Sequence, residues 1–408
     1  MALIVQKYGG SSVGSIDRIR NVARRLVETQ QAGNRVVAVV SAMSGVTDRL
    51  IGMAREVTEN PPSRELDMLM ATGEQQSIAL LGMAITEMGY KARSFTGRQA
   101  GIFTYGSHTR ARIRNIDPSA VTAALDDGYI CICAGFQGIA ADGAICTLGR
   151  GGSDLSAIAL AAAVKADLCQ IYTDVDGVYT CDPRVVKDAR KLPVLSYDEM
   201  LEMASSGSKV MQARSVEFAK KFGVVFEVRN SMNNNPGTIV QEETPAMESL
   251  VIRGVSIERN QARLTISNIS EPVPYTAIIL SALSDEEINV DMIVANTAHD
   301  GHARQSLTMN MSDLGAAQAA LQKVLPKFGP EAKLETEAGL AKLSVVGVGM
   351  RSNSGVAATL FRALADAGIE TGMIATSEIR ITTTVPAADI EQAARVVHDA
   401  FHLNSVQA

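Results

Sequence analysis

Residues Leu148 to Ala157, LGRGGSDLSA, place three glycines around one arginine and continue into an alanine-rich segment with the composition of a helix. A glycine-rich turn that opens a helix offers free backbone N–H groups and the positive end of the helix dipole, which together attract an anion. The stretch lacks the Gly-Lys-Ser/Thr sequence that ends a P-loop. Either a lysine from elsewhere in the chain completes a phosphate site here, or the anion is not a phosphate.

Three side chains in and after this turn are suited to binding. Arg150 can form a bidentate pair with a carboxylate, a geometry that lysine cannot match. Ser153 is typical of a helix N-cap, and Asp154 would lie in the first turn, where the helix dipole stabilises a carboxylate. A capped helix after a flexible turn explains Ser153 and Asp154. It does not explain a charged arginine among three glycines, so we interpret the turn as a binding site.

Two other polar loops each follow an apolar run. In KYGGSS, Lys7 precedes Gly9 and Gly10, so a positive charge could reach a phosphate while the backbone approaches it closely. By itself this signal is weak, and an ordinary surface lysine is an equally good interpretation. In SAMSGVTD, the hydroxyls of Ser41 and Thr47 could orient a ligand or could simply cap a helix.

The longest polar loop is TDVDGVYTCDPRVV, which contains Asp174, Asp176 and Asp182 together with Tyr179 and Arg184. The acid spacing suggests calcium at first sight, but the EF-hand frame with its distal glutamate is not met. A nucleotide-binding loop is the better interpretation. Tyr179 would then lie against a base, and Arg184 would lie near a phosphate.

Further charged residues complete the set of candidates. Glu74, in ATGEQQ, is predicted at a helix start and could hold an ammonium group, and Lys209, in GSKV, is a second cation after a turn. His398 and His402 stand four residues apart, as zinc ligands on a helix do, but no third ligand or general-base glutamate accompanies them. We therefore predict a solvated helix face there and no metal site.

The segments that carry these loops have the pattern of a parallel sheet. From Met1 to about Val240, short and almost continuously apolar runs alternate with helical patterns, such as the predicted helix with Ile16 and Ile19 on its apolar face. Such runs are typical of parallel strands that are covered on both faces. Ligands bind at the carboxyl ends of the strands in such sheets, which is where the polar loops should lie.

The second half of the chain has a different texture. Residues 233–249 are rich in turn formers and charges, so we place a domain boundary there. Beyond it, the segment 262–293 resembles the segment 341–374, and ALSDEEINVDMI and ALADAGIETGMI share six of twelve positions. Each copy passes from a strand through a turn and a helix to a second strand. Two copies of one βαβ-type unit therefore form this half.

Composition limits the class of protein. A chain of 408 residues with 46% hydrophobic residues can form two or three globular domains. The net charge of -6 argues against a nucleic-acid surface, and the most apolar stretch, LSAIALAAAV, is too short to span a membrane. We expect a cytoplasmic protein that binds neither nucleic acid nor membrane. The five cysteines contain no C-x-x-C pair and are interpreted as buried free thiols.

The motifs KYGGSSV, SAMSGVTD, TGE, AGFQG, TLGRGGSD, YTDVDGVYTCDPR and GSKV occur in one order that closely resembles the aspartokinase family. The resemblance covers nearly the whole chain and matches the monofunctional length. It implies an α/β amino-acid-kinase fold, a mainly parallel sheet sandwiched by helices, over residues 1–245. It also implies two α+β ferredoxin-like ACT domains, over residues 262–337 and 341–408.

The resemblance implies transfer of a phosphoryl group from ATP to L-aspartate, giving 4-phospho-L-aspartate and ADP, as the first step towards lysine, threonine and methionine. Magnesium (Mg2+) would be held mostly by phosphates and water. A carboxylate nucleophile has a pKa near 4 and needs no general base, which fits a site without histidine. Two alternatives stay open at this point: a kinase for glutamate or another carboxylate, and a catalytically silent amino-acid sensor.

The resemblance also implies roles for individual residues. Lys7 and Lys209 would stabilise the transferring phosphoryl group, and Asp154 would organise the cations. The ATP-binding residues would be the two lysines with Gly9, Gly10, Thr173, Asp174, Tyr179, Asp182 and Arg184. The substrate-binding residues would be Ser41, Thr47, Glu74, Arg150, Gly151 and Ser153, with Glu74 on the ammonium and Arg150 on the α-carboxylate.

In this family, ACT pairs bind lysine, threonine or both as feedback inhibitors. The implied effector residues are Asn353, Ser354, Gly355, Val356, Ser377, Glu378, Asp291 and Met292. The first repeat departs from the pattern, since EPVPY replaces an Asp-x-Pro-Gly turn and Ala295-Asn296 replaces Gln-Asn. Proline has no N–H to donate, so effector binding there stays open while the fold is expected to persist. A homodimer is expected, or an α2β2 assembly if translation also starts at Met247.

Overall fold

The computed structural model describes residues 1–208, 210–243, 251–270, 273–297 and 302–405. These residues fall into two units. The first contains residues 1–178, 191–204 and the described part of 209–245, and the second contains residues 179–190, 205–208 and the described part of 246–408. The domain boundary predicted at residue 245 and the alternative start at Met247 lie outside the described residues.

The first half of the chain alternates strands and helices. Its strands are β1 (Leu3–Tyr8), β2 (Arg35–Val40), β3 (Ala92–Phe95), β4 (Ile102–Tyr105), β5 (Arg112–Ile116), β6 (Ile130–Ala134), β7 (Gln137–Ile139), β8 (Ile145–Thr147), β9 (Leu168–Thr173), β10 (Val194–Ser196), β11 (Phe226–Asn230) and β12 (Thr238–Gln241). Its helices are α1 (Ile16–Gln31), α2 (Val46–Val57), α3 (Ser63–Glu87), α4 (Ser119–Asp126), α5 (Gly152–Val164), α6 (Tyr197–Ser205) and α7 (Ala213–Phe222).

The main sheet has the strand order β10-β12-β11-β9-β1-β2-β6-β3. The six strands from β11 to β3 run parallel, and β12 runs antiparallel to β11. Strands β1, β2 and β6 are almost entirely buried, which matches their continuous apolar runs. The predicted mainly parallel α/β fold is confirmed. Its polar loops leave the carboxyl ends of β1, β2, β6 and β9 at one edge of the sheet.

Helices α1 and α3 pack with β1, β2 and β6 in one apolar core. Helix α1 buries Ile19, Val22 and Leu26, as the helical spacing predicts. Ile16 is an exception, because it is the first residue of the helix and is 46% exposed. A smaller sheet of order β5-β4-β7-β8 lies beside α3, and β8 leads directly into the turn that contains Arg150.

The second half of the chain contains two similar series of elements. The first comprises β13 (Gly254–Ser270), α8 (Tyr275–Asp285), β14 (Ile293–Thr297), β15 (His302–Asn310) and α9 (Leu314–Val324). The second comprises β16 (Lys333–Val346), α10 (Val356–Asp366), β17 (Ile374–Thr376), β18 (Arg380–Pro386) and α11 (Ile390–Ala400). The predicted repeat is confirmed, and each copy extends to a βαββα series.

Both repeats share one six-stranded sheet of order β14-β15-β13-β16-β18-β17. Strands β13 and β16 pair antiparallel at its centre, from Gly254 opposite Val346 to Ser267 opposite Lys333. Each repeat buries its own apolar core against this sheet. The second core also includes Cys181, Val185 and Val186, so the segment 179–190 packs with the second repeat.

All five cysteines are buried free thiols, as predicted. In the part of the chain that the structure describes, no helix combines the length and apolar character that crossing a bilayer requires.

Candidate active site

The end of β1 brings a lysine to a glycine turn. Lys7 is only 9% exposed, and a Cβ on Gly9 would lie 3.5 Å from its ammonium nitrogen. The N–H of Gly9 donates to the carbonyl of Tyr172 at the end of β9, which holds the turn against the neighbouring strand. A Cβ on Gly10 would lie 3.0 Å from the carbonyl of Ala42, so this position favours glycine for lack of space.

Lys7 forms an ion pair with the first turn of α5. Its Nζ lies 2.5 Å from Oδ1 of Asp154, and both side chains are nearly buried. The end of a central strand, a cation and a helix N-terminus therefore meet at the predicted edge of the sheet. This arrangement of positive charge and free N–H groups suits a polyanion.

The turn before α5 depends on glycine backbone geometry. Gly149 and Gly151 have φ values of +76° and +70°, a region that side chains disfavour. Gly151 is the N-cap of α5 and makes no side-chain cap bond, so the prediction that Ser153 is the N-cap was wrong. Ser153 is the second residue of the helix and packs on Gly135. A Cβ added to Gly135 would lie 2.9 Å from the Cβ of Ser153.

Arg150 projects from this turn and is exposed. Among the described residues it makes no ion pair, so its guanidinium is available to a ligand. A guanidinium held by a glycine turn beside a helix N-terminus can take a carboxylate through two parallel N–H···O bonds.

Glu74 occupies a different position from the one predicted. It lies in the middle of α3 and not at a helix start, and it is 3% exposed. Its Oε1 accepts the N–H of Ala42 at 3.0 Å, just after β2, while burial raises its pKa to about 7. Its Oε2 has no hydrogen-bond partner in the described structure. A buried carboxylate with one unpartnered oxygen is suited to an arriving ammonium group.

Ser41 follows β2 directly, and its N–H donates to the carbonyl of Tyr8. Thr47 is the second residue of α2. Ser41 and Thr47 therefore lie just after β2 and at the start of the helix that follows it. Neither caps α2, because the N-cap is Gly45 in a left-handed conformation.

Strand β9 ends at Thr173, whose side chain forms a hydrogen bond of 3.1 Å with that of Asp174, the first residue of the following loop. Two residues later, Asp176 accepts the side-chain amides of Asn230 at 2.6 Å and Asn233 at 2.8 Å. These bonds lower the pKa of Asp176. These contacts of Asp176 were not predicted from the sequence, although the asparagine-rich run after β11 is a signal for them.

Tyr179, Asp182 and Arg184 belong to the second unit. Asp182 receives a bidentate pair from Arg184, with Nε at 3.0 Å from Oδ1 and Nη2 at 2.8 Å from Oδ2. This pair lowers the pKa of Asp182. The predicted nucleotide loop is thus divided between the two units after Val178. Lys209 lies outside the described residues.

The predicted effector residues of the second repeat surround the start of α10. Gly355 is the N-cap of α10 with a φ of +99°, Ser354 precedes it and Val356 follows it. Asn353 donates from Nδ2 to the carbonyl of Gly349 at 2.8 Å.

An ion pair joins the segment before α10 to the turn between β17 and β18. The Nε of Arg351 lies 3.4 Å from a carboxylate oxygen of Glu378, and Ser377 precedes Glu378 in the turn between β17 and β18. The two predicted segments of the second repeat are therefore neighbours.

In the first repeat, the carboxylate of Asp291 already forms an ion pair with a lysine of this chain. The Nζ of Lys342 lies 2.5 Å from Asp291 and 2.7 Å from Glu258. The backbone N–H of Met292 donates to Thr308. An effector ammonium at Asp291 would have to share this carboxylate with Lys342. The turn EPVPY lies partly outside the described residues.

The position of His398 also differs from the prediction. It is fully buried, and its Nε2 lies 2.9 Å from the hydroxyl of Thr180. The expectation of a solvated face at this position was wrong, because the helix α11 buries His398 against the segment 179–190. His402, four residues later, is exposed.

The comparisons with known proteins agree with the fold. The model of the amino acid kinase family matches residues 2–230, and a model of the ACT domain matches residues 343–401. The chain is thus an amino acid kinase that carries an ACT domain.

An aspartokinase from Geobacillus stearothermophilus is 49% identical over 403 residues, which cover 99% of this chain and 98% of that protein. Aspartokinase III of E. coli, solved in complex with aspartate and ADP, gives a TM-score of 0.79 at 26% identity, over 98% of this chain and 99% of the other. The structure of the same enzyme with lysine and aspartate gives a TM-score of 0.76 at 26% identity, over 98% of this chain and 99% of the other. The chain belongs to the aspartokinase family, and its activity is the phosphorylation of aspartate. The predicted resemblance is confirmed, and both alternatives lose their support.

Proposed function

We propose that the enzyme transfers the γ-phosphoryl group of ATP to the 4-carboxylate of L-aspartate at the edge of the main sheet. The buried pair of Lys7 and Asp154 carries this proposal, because it places a cation and a helix N-terminus at one point. A carboxylate oxygen forms the new P–O bond, the bond between the γ-phosphorus and the β–γ bridging oxygen breaks, and ADP leaves. The nucleophile is already ionised near pH 7, so the step needs no proton transfer.

Positive charge and positioning are what such a reaction requires, since an anion must approach a polyanion. Lys7 and Lys209 stabilise the transferring group, and Asp154 holds the Lys7 ammonium in place. The remaining nucleotide-binding residues are Gly9, Gly10, Thr173, Asp174, Tyr179, Asp182 and Arg184. We include Mg2+ with the nucleotide. Asp154 and Asp174 are hard oxygen donors that fit this ion, which neutralises phosphate charge when it is bound.

The substrate is held at its two ends. Arg150 binds the α-carboxylate, and Glu74 binds the ammonium group. Ser41, Thr47, Gly151 and Ser153 orient the substrate between them. Aspartokinase III of E. coli, a relative of the same family, was solved with aspartate and ADP, which supports one site for both ligands.

The test is the initial rate of ATP-dependent hydroxamate formation with aspartate and with glutamate. Arg150→Ala should raise the KM for aspartate about 10- to 100-fold, since a charge-assisted bidentate pair contributes about 1.5–3 kcal/mol. The exposed Arg98→Ala is the matched control and should leave the KM unchanged. An unchanged KM in Arg150→Ala would remove Arg150 from the substrate site.

We further propose that the enzyme catalyses the first step towards lysine, threonine and methionine, with a kinase domain over residues 1–245. Feedback inhibition by lysine, threonine or both would act through ACT domains over 262–337 and 341–408. The effector residues are Asn353, Ser354, Gly355, Val356, Ser377, Glu378, Asp291 and Met292. The complex of a relative with lysine supports such regulation. The assembly is a homodimer or an α2β2 complex.

Inhibition assays with lysine, threonine and their mixture test this regulation. Inhibition by threonine alone is expected if the first repeat no longer binds an effector. Concerted inhibition by both would show that the EPVPY turn is tolerated. A rate that none of the three treatments changes would overturn the regulatory proposal.

A further inference from the structure

Asp67 is a fully buried carboxylate on α3 with no role assigned so far. Its Oδ1 accepts the hydroxyl of Thr147 at 2.5 Å, and its Oδ2 lies 2.8 Å from Nδ1 of His108. The N–H of Thr109 donates to both oxygens, at 3.1 and 3.0 Å. A buried charge is tolerated where every oxygen is paired in this way. Asp67 therefore joins a helix, a strand and a loop.

The groups that Asp67 holds are those that support the turn of Arg150. Thr147 is the last residue of β8, three residues before Arg150. The carbonyl of Thr109 lies against the other side of the turn, 3.2 Å from where a Cβ on Gly149 would be. The carboxylate of Asp67 thus fixes both β8, which leads into the turn of Arg150, and the loop at Thr109, which contacts that turn.

The same helix also carries Glu74, which is seven residues after Asp67 in α3. Seven residues of α-helix are two turns and span about 10.5 Å. Helix α3 therefore connects Glu74, at the ammonium end of the substrate, with the support of Arg150, at the carboxylate end. The separation of the two ends is set by one rigid element.

The donor set resembles a metal site, because Asp67, His108 and Cys146 offer ligand atoms within 4.8 Å of one another. Two observations argue against this use. Both oxygens of Asp67 already accept hydrogen bonds from Thr109. Burial also raises the pKa of the Cys146 thiol, whereas a metal binds the thiolate.

We propose that Asp67 is a positioning residue that fixes Arg150 relative to Glu74 and thereby selects aspartate over its longer homologue glutamate. The proposal rests on the proposed function, in which Arg150 and Glu74 hold the substrate. Aspartate and glutamate differ by one methylene, and a pocket that is fixed in length discriminates such a difference about 10- to 200-fold. A turn that can shift loses part of that discrimination.

The experiment measures kcat and KM for aspartate, glutamate and ATP in Asp67→Asn and Thr147→Val. Both variants should raise the KM for aspartate about tenfold, leave the KM for ATP within about twofold and reduce discrimination against glutamate. Thr147→Ser keeps the hydroxyl and should behave as wild type. Glu65→Gln, an exposed carboxylate on the same helix, is the control.

Equal increases in the KM for aspartate and for ATP, or full activity of Thr147→Val, would overturn the proposal. Thr147→Val provides the test if Asp67→Asn does not fold, which the urea unfolding midpoint reports.

A double-mutant cycle separates this proposal from the one on which it rests. In an Arg150→Ala background, Asp67→Asn should change the KM for aspartate by less than about twofold, since it acts through Arg150. A full additional effect in that background would contradict the positioning role. An unchanged KM in Arg150→Ala alone would instead contradict the role of Arg150.

Discussion

Lys7 Nζ lies 2.5 Å from Asp154 Oδ1, so an ion pair joins the end of β1 to the first turn of α5. Charges interact more strongly where water is largely excluded, and here both side chains are nearly buried. The partner of Lys7 stands at a helix N-terminus, where the dipole favours a negative group. Asp154 thus keeps the ammonium oriented, and an arriving phosphate meets a cation whose position is already fixed.

Lys7→Ala should lower kcat about 10²- to 10³-fold, as the loss of one preorganised charge does elsewhere, with only a modest change in the KM for ATP. Steady-state kinetics with varied ATP at saturating aspartate measures both values. Lys221→Ala, an exposed lysine on α7, is the control and should match wild type. A wild-type kcat in Lys7→Ala would show that Lys7 has no part in the transfer.

Glu74 makes aspartate binding dependent on pH. Its pKa of about 7 means that the empty site is partly protonated near neutrality, whereas an ammonium partner requires the ionised form. The KM for aspartate should therefore fall as the pH rises from 6 to 8. Glu74→Gln should raise the KM and flatten this dependence, while Glu87→Gln, at the exposed end of the same helix, should keep the wild-type profile. A wild-type slope in Glu74→Gln would contradict the assignment.

Glu74 also makes folding stability depend on pH: a higher pH favours aspartate binding but lowers the free energy of unfolding. The pKa of Glu74 is raised by burial, so between about pH 4.5 and 7 the folded state binds more protons than the unfolded state. The free energy of unfolding contributed by Glu74 should fall as the pH rises through this window and stay level above it. Urea titrations of wild type and Glu74→Gln at several pH values measure the difference.

Gly135→Ala tests the close approach of β6 to α5. The added Cβ would lie 2.9 Å from the Cβ of Ser153, so the start of α5 has to shift. We expect a loss of about 1–3 kcal/mol in the free energy of unfolding and a higher KM for aspartate. Gly52→Ala, on α2, meets nothing within 4 Å and should be neutral or slightly stabilising. Equal stabilities of the two variants would show that the contact does not constrain α5.

The sequence predicts the sheet well because its strands are buried on both faces and therefore continuously apolar. The position of Glu74 could not be predicted in the same way. The motif ATGEQQ predicts Glu74 at a helix start, yet Glu74 and the preceding Gly73 lie inside α3, where a Cβ on Gly73 would be 2.8 Å from the Cβ of Ala42. The glycine is there for packing between α3 and the loop after β2, which is a long-range contact that no local pattern contains.

In the candidate site, too, residues marked by local motifs were predicted and residues defined by long-range contacts were not. Lys7, Arg150 and Asp154 are found from sequence because glycine turns at strand ends mark them. Asp67 has no such mark, since its partners Thr109 and Thr147 are 42 and 80 residues away along the chain. Such contacts depend on how the elements pack, which spacing along one helix does not reveal.

The burial of His398 could not be predicted from its helix either, since its hydrogen-bond partner Thr180 lies 218 residues away in the sequence. Burial lowers the pKa of His398, Asp188 and Asp399 oppose this effect, and Arg190 adds to it. The folded state therefore takes up the His398 proton only at a lower pH than the unfolded state, which binds it below about pH 6.5. The stability contributed by His398 is fully present above pH 6.5 and is lost as the pH falls.

The urea unfolding midpoint should accordingly fall between pH 7.5 and 5.5 more steeply in wild type than in His398→Asn. The difference should reach at most about 1.4 kcal/mol per pH unit, the value for one proton. His402→Asn is the matched control, because His402 is exposed on the same C-terminal segment and its φ of +53° suits asparagine. It should keep the wild-type slope. A difference between wild type and His398→Asn that does not change with pH would mean that His398 binds its proton equally in both states.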